Sequence, residues 1–377
     1  MLFDEIIEQE RAKEILSRVL GSGRVPHAFL FAGPWGVGKT TTALAAARAL
    51  VCERGPLQAC DACASCGKAR RFVHPDVHFY FPMPSFRSGD AAAKARREIL
   101  EEMAADPLYV VQFEKAHSIK IDEIREIKSR ASLRPVEASC RVVILSGAEK
   151  MTEEASNSLL KVLEEPPDDM IFFLTASKPE RLLPTIVSRC REVSFSPLSQ
   201  EAIARVLTER RGVSPERASL AAALSRGSLA AAVTHGEEDL ASWRDRALAV
   251  FDTGRPGHDA ELHAGVQGLL SEGGRTSILR AVEIMRVWCR DLLLARCEAP
   301  EDLIANRDRR DRLAAEAKGV SIDEIRRRAA VLEDMSELVE GNVNPSLVLY
   351  GGVLRYSDPS LGPASIAASF PHALFRG

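Results

Sequence analysis

Eight residues restrict this chain more than any others: Gly33-Pro34-Trp35-Gly36-Val37-Gly38-Lys39-Thr40 matches G-x-x-x-x-G-K-[ST] in full. The apolar run His27-Ala28-Phe29-Leu30-Phe31-Ala32 precedes it, and a helical stretch from Thr41 to Leu50 follows. Strand, glycine turn and helix in that order make a phosphate cradle. The glycines let backbone N–H groups converge, and the helix start adds unpaired amides and a positive dipole end. Gly33, Gly36, Val37, Gly38, Lys39, Thr40 and Thr41 are therefore the expected nucleotide-binding residues. Lys39 would reach the outer phosphates and the Thr40 hydroxyl would ligate Mg²⁺, with ATP or another nucleoside triphosphate as the ligand. A plain Gly-rich turn is the competing reading, and the complete motif with its flanks argues against it. Hydrolysis is a separate question.

Four of the eight cysteines crowd into one stretch: Cys52, then Cys60-Asp61-Ala62-Cys63-Ala64-Ser65-Cys66. Two overlapping C-x-x-C pairs plus a fourth thiol can close a tetrahedral site, and with no His and no open position a structural Zn²⁺ is expected. The alternatives are four reduced cysteines in a loop or a redox C-x-x-C, which would leave the second pair without a role. The start of the chain carries Asp4 and Glu5 where a signal peptide would be basic, so a cytoplasmic protein with no membrane partner is expected. Fifty basic against 53 acidic side chains give a net charge of -3, hence no global pull toward DNA.

Further along, Val77 to Phe81, Arg141 to Leu145, Met170 to Ala176 and Val193 to Phe195 read as strands. Helical spacing fills the gaps at residues 5–20, 91–103, 121–135 and 153–165, with Thr152 as an N-cap. Strands alternating with helices imply an α/β fold, a parallel sheet with helices on both faces and the cradle at its carboxyl edge. Residues 85–118 read as a surface insertion without an assigned role, for which contact with a partner subunit is one option. From Ser199 the strand signals stop. We divide the chain into a nucleotide-binding domain at 1–196, with the cysteine module at 52–66, a helical lid at 197–238 and an all-α domain at 239–377. Ser321 and Glu324 form a candidate capping box.

The combination resembles a known family. Leu159-Leu160-Lys161-Val162-Leu163-Glu164-Glu165-Pro166-Pro167, Pro184-Thr185-Ile186-Val187-Ser188-Arg189-Cys190 and the cysteine module after the P-loop helix are similar to the AAA+ subunits of bacterial DNA polymerase III clamp loaders. The likeness covers about the first 200 residues; beyond them it rests mainly on the stretch Val287-Trp288-Cys289-Arg290-Asp291-Leu292-Leu293-Leu294. It implies an AAA+ domain, a lid and an all-α collar that oligomerises. It also implies a hetero-oligomeric ring with gamma/tau and delta subunits, which loads a sliding clamp onto primed DNA.

Within that resemblance the catalytic positions discriminate. A motor subunit should carry Asp-Glu at the end of the strand before Thr152, to hold the metal and orient the attacking water. This chain has Ser146-Gly147, and Glu149 stands two residues farther on, where it should leave the strand edge at another angle. The lid motif reads Gly227-Ser228-Leu229-Ala230, with Ala where motor subunits carry Arg, and Ser177 falls at the family's sensor position. The resemblance therefore implies the delta-prime kind, a polymerase III holoenzyme subunit of doubtful intrinsic ATPase activity. Arg189 would serve as an arginine finger for a neighbour's site, its competing role being a helix cap or a simple ion pair. Arg307 to Arg312, interleaved with Asp308 and Asp311, reads as a solvated helical face. The rivals are an active gamma/tau-type motor, contradicted by Ser146-Gly147, a free-standing P-loop NTPase or kinase, and a zinc-dependent DNA-binding module.

Overall fold

Apolar runs without polar alternation belong to strands covered on both sides, and in the computed structural model they assemble into one parallel sheet. The structure describes residues 3, 5–55, 59–111, 117–131, 133–237, 239–254, 256–271, 273–340 and 343–361. Residues 56–58 and 112–116, which fall in the cysteine module and the insertion as read from the sequence, and those from 362 onward lie outside the described residues. Two compact units divide the chain, one of residues 1–203 with 226–234, the other of 204–225 with 235–377.

The first unit runs α1 (Glu10–Gly21), β1 (Ala28–Ala32), α2 (Lys39–Leu50), α3 (Ala64–Arg70), β2 (Val77–Tyr80), β3 (Met83–Pro84), α4 (Gly89–Ala105), β4 (His117–Ser118), α5 (Ile121–Ala131), β5 (Arg141–Leu145), α6 (Glu153–Glu164), β6 (Met170–Ala176), α7 (Pro184–Val187) and β7 (Arg191–Ser194). The sheet order is β2-β5-β6-β1-β7, and every pairing is parallel. β1 lies between β6 (Ala28 opposite Phe172) and β7 (Phe29 opposite Arg191). The two-residue period of the strands splits the core in two. Phe29, Phe31, Val142, Ile144 and Phe173 join α1 and α2 on one face, whereas Leu30, Val143, Leu145, Phe172 and Leu174 join α5 and α6 on the other. α4 of the insertion lays Ile99, Leu100 and Met103 against the first core. β3 and β4 form a separate two-stranded ribbon that the sequence did not announce.

α1 begins at Glu10, five residues later than its periodicity suggested, because Glu8 and Gln9 are left-handed (φ 53° and 61°). Their side chains are used elsewhere. The Glu8 carboxylate accepts from Ser199 N (3.0 Å) and Oγ (2.6 Å), and Gln9 exchanges hydrogen bonds with Ser196 at 2.7 and 3.1 Å. These bonds, charge-assisted at Glu8, offset strain on the order of 1–3 kcal/mol in each of the two non-glycine left-handed residues.

The loop before β5 is tied down by one side chain. Asp76 is fully buried and accepts N–H bonds from Val136 (2.8 Å), Glu137 (2.7 Å) and Ala138 (2.9 Å), with Arg141 3.9 Å away. Burial alone would raise its carboxyl, but these amides hold it below the usual value. His78 on the edge strand β2 is pushed down to about 4, first by burial and then by Arg130 and Arg141. A histidine neutral in the fold but charged when unfolded removes stability as pH falls from its free value of about 6.5 toward the folded value. Urea unfolding should therefore lose up to about 2 kcal/mol between pH 7.5 and 5 through this group. His78→Gln should flatten that slope, and an unchanged slope would exclude His78 as its source.

The second unit is helical. Its elements are α8 (Gln200–Arg211) and α10 (Leu229–Glu237), which each straddle the boundary, α9 (Pro215–Leu224), α11 (Leu240–Asp252), α12 (Asp259–Ser271), α13 (Arg275–Arg296), α14 (Arg310–Gly319), α15 (Ile322–Glu340) and α16 (Pro345–Ser357). α13 is central, packing on α11, α12, α14, α15 and α16. Fully buried Asp291 on α13 accepts from Ala305 N and from both nitrogens of Asn306 at 2.8–3.0 Å. The tract at 307–312 is laced into this unit: Arg309 pairs with Asp245, Arg310 with Glu301 and Arg312 with Asp252, while Asp308 makes a bidentate pair with buried Arg244. Ser321 caps α15 through Glu324 N (3.1 Å), but the Glu324 carboxylate turns to Arg327 and Arg328, so the capping box is half formed. Among the described residues no helix is long and apolar enough to cross a membrane.

Candidate functional site

At the carboxyl ends of β1, β5 and β6 a cavity of about 260 Å³ opens over the glycine loop. Gly36, Gly38, Lys39, Thr40, Thr41 and Ser177 line it; Gly33 and Val37 belong to the same loop without reaching the lining. α2 starts at Lys39 behind left-handed Gly38, which aims its first amides at the cavity. Gly36 has φ +77°, its carbonyl accepts Leu229 N (2.9 Å), and a Cβ there would collide with Ser228 and Ala230. Ala230 thus contributes a small side chain packed on the loop, where a long one would have to be turned away.

Lys39 is 6% exposed. Its Nζ donates to Gly33 O (2.7 Å), Pro34 O (2.5 Å) and Ser177 Oγ (3.4 Å). Burial pushes its ammonium down to about 8, while Glu149 pulls the other way. Thr40 Oγ1 lies 2.9 Å from Ser146 Oγ, so the hydroxyl expected at a metal meets a second hydroxyl at the end of β5. Sequence reasoning set Ser177 at the family's sensor position among the nucleotide-binding residues, and its Oγ lies 3.4 Å from Lys39 Nζ. It missed the apolar wall that the insertion supplies through Met103 and residues 107–111, because nothing in that stretch's composition ties it to a phosphate loop. It also set Glu149 aside, yet Glu149 lines the cavity.

Cys52, Cys60, Cys63 and Cys66 converge, their sulfurs all within 4.8 Å of one another. Zn–S bonds of about 2.3 Å in a tetrahedron need sulfurs about 3.8 Å apart, so the donor set fits zinc with small adjustments. Cys63 caps α3, and N–H groups of Cys63 and Cys66 point at the sulfurs of Cys60 (3.3 Å) and Cys63 (3.4 Å). The Ala62 amide foremost lowers the Cys60 thiol to about 6, whereas burial raises Cys66 to about 12. The module is fastened to α2 by Arg48, which pairs with Asp61 (3.2 Å) and Glu5. Arg189 lies apart from the cavity lining. Just beyond α7, it donates to Thr185 O (2.9 Å) and pairs with Glu164 (3.0 Å), leaving its side chain 35% exposed.

The sequence model of the family described as DNA polymerase III, delta subunit, matches residues 8–199. The chain is 31% identical over 252 residues to DNA polymerase III subunit delta' of Bacillus subtilis, covering 66% of this chain and 67% of the relative. It is 33% identical over 215 residues to DNA polymerase III subunit gamma/tau of Mycobacterium tuberculosis, covering 56% of this chain but only 32% of that longer protein. A DNA polymerase III gamma subunit-related protein of Thermotoga maritima aligns in structure over 91% of this chain and 97% of its own, at 14% identity and a TM-score of 0.43.

Proposed function

We infer the function from this premise: the chain belongs to the DNA polymerase III delta-subunit family and is a clamp-loader subunit. Within that family we propose a delta-prime-type member that holds a nucleotide, does not hydrolyse it, and serves neighbouring motor subunits. One observation carries the reading. A complete phosphate cradle at residues 33–41 stands beside Ser146 and Gly147, where a motor needs two carboxylates. The cradle can bind; the pair beside it can neither hold a metal by charge nor orient a water.

In this reading residues 1–196 are an AAA+ domain, 197–238 a lid and 239–377 a collar that joins gamma/tau and delta subunits in a ring. That ring loads a sliding clamp onto primed DNA in the cytoplasm, and DNA contact belongs to the assembly, since the chain is near neutral and Arg309, Arg310 and Arg312 are engaged by acids of their own unit. Mg²⁺ bound with ATP would neutralise phosphate charge. The residues of this chain would do the holding: backbone N–H groups of the loop on the phosphates, Lys39 exchanging the Gly33 and Pro34 carbonyls for phosphate oxygens, and the Thr40 hydroxyl on the metal.

Calorimetry on the purified chain should show Mg-ATP binding that weakens at least about tenfold in Lys39→Ala, with no turnover above background in either protein. Robust turnover by the isolated chain, abolished by Lys39→Ala, would make it a motor instead. The zinc assignment has its own check. The purified protein should contain one zinc per chain, and Cys60→Ser with Cys63→Ser should contain none and melt on the order of 5–10 °C lower. Unchanged metal content in the double variant would reject the assignment.

A further inference from the structure

Glu149 is the one carboxylate among the described residues lining the cavity. Its place there comes from the backbone. β5 ends at Leu145, left-handed Gly147 (φ +67°) reverses the chain, and the single 3₁₀ turn Ala148–Lys150 swings Glu149 back across the strand ends. The turn is pinned to β6, because Gly147 N donates to Thr175 Oγ1 (3.1 Å). One carboxylate oxygen, Oε1, accepts the Ser177 amide (3.0 Å), and Ser177 Oγ receives Lys39 Nζ (3.4 Å). The other oxygen, Oε2, is buried and has no hydrogen-bond partner among the described residues. Buried carboxylate oxygens are seldom left without a donor, so this one calls for a ligand that the protein itself does not provide.

We propose that Glu149 Oε2 is the acidic oxygen that holds the divalent cation of a bound nucleotide, through one of the cation's waters. The proposal rests on the nucleotide reading of this cavity and names the residue that stands in for the missing acid at 146–147. The donor set fits: Mg²⁺ takes oxygen ligands, keeps several waters, and is held by one or two carboxylates together with phosphates. Thr40 and Ser146 supply neutral oxygens at the same place. The arrangement also explains why holding the metal does not bring cleavage. With Oε1 committed to the Ser177 amide and Oε2 to the cation's shell, no carboxylate is left to orient an attacking water.

The test is ATP binding by calorimetry in Mg²⁺ and in EDTA for the wild type, Glu149→Gln and Lys39→Ala. The wild type should bind about tenfold or more tightly with Mg²⁺ than in EDTA. Glu149→Gln keeps an acceptor for the Ser177 amide, so it should stay folded, bind in EDTA within about twofold of wild type, and lose most of the Mg²⁺ gain. Glu149→Ala should show the same loss of gain. If both variants retain the full gain, Glu149 is only a counter-charge to Lys39 and the proposal is overturned. If the wild type matches Lys39→Ala and binds ATP in neither buffer, the nucleotide reading itself fails and takes the proposal with it.

Discussion

Arg189→Ala in this chain should lower ATP turnover at the neighbouring subunit's site by about 10³-fold or more, the order of an arginine finger's contribution. The measurement is made in a reconstituted clamp loader whose other sites are silenced by substituting their P-loop lysines. Arg189 has little to give up when it leaves its own chain. Its bond to the Thr185 carbonyl and its pair with Glu164 are both part-exposed, and an exposed ion pair is worth about 0–1 kcal/mol. A thousandfold in rate is about 4 kcal/mol, so the guanidinium can leave its own chain at small cost. Glu164→Gln should therefore change turnover less than about threefold. Arg189→Lys should fail to rescue, since a point charge lacks the planar fork that spans two phosphate oxygens. Full turnover with Arg189→Ala would reduce the residue to the end pair of a short helix.

Asp76→Ala should destabilise the α/β unit by about 3–5 kcal/mol, read as a lower midpoint in urea unfolding at pH 7. Three inward N–H groups at 136–138 would lose their acceptor and Arg141 its nearest carboxylate. Each orphaned donor costs about 1–3 kcal/mol before relaxation. The sign with pH follows from the lowered carboxyl: its stabilisation is present above the ordinary carboxylate range and disappears only as pH falls through the lower folded value. Asp76→Ala should accordingly be more harmful at pH 7 than at pH 3. A loss below about 1 kcal/mol would mean that the 133–138 loop stands without this anchor.

Much of this molecule could be read from local pattern. Doubly covered strands write themselves as apolar runs, so β1, β5 and β6 lay where the sequence put them, as did α2 behind its glycines and α6 behind Thr152. The four cysteines announced their convergence through spacing alone. What escaped depends on partners far along the chain or on one backbone angle. Asp76 gathers amides 60 residues away, and no period in the sequence marks a carboxylate for that task. α1 starts late because Glu8 and Gln9 serve residues 196–199. Glu149 enters the cavity because Gly147 is left-handed, whereas an extended strand end would have pointed it elsewhere. The ribbon of β3 and β4 is two residues deep, below what alternation can reveal.

The position of β1 also sets a timetable for synthesis. Among the described residues its partners are β6 and β7, which begin at Met170 and Arg191, so Phe29, Leu30 and Phe31 leave the ribosome long before either strand exists to receive them. Pairings so distant in sequence are slow and leave aggregation-prone edges open meanwhile. The phosphate loop hangs from that strand. In the nascent chain it can take its final form only after almost two hundred residues have emerged, which makes the cradle, first in sequence, among the last parts of its unit to mature.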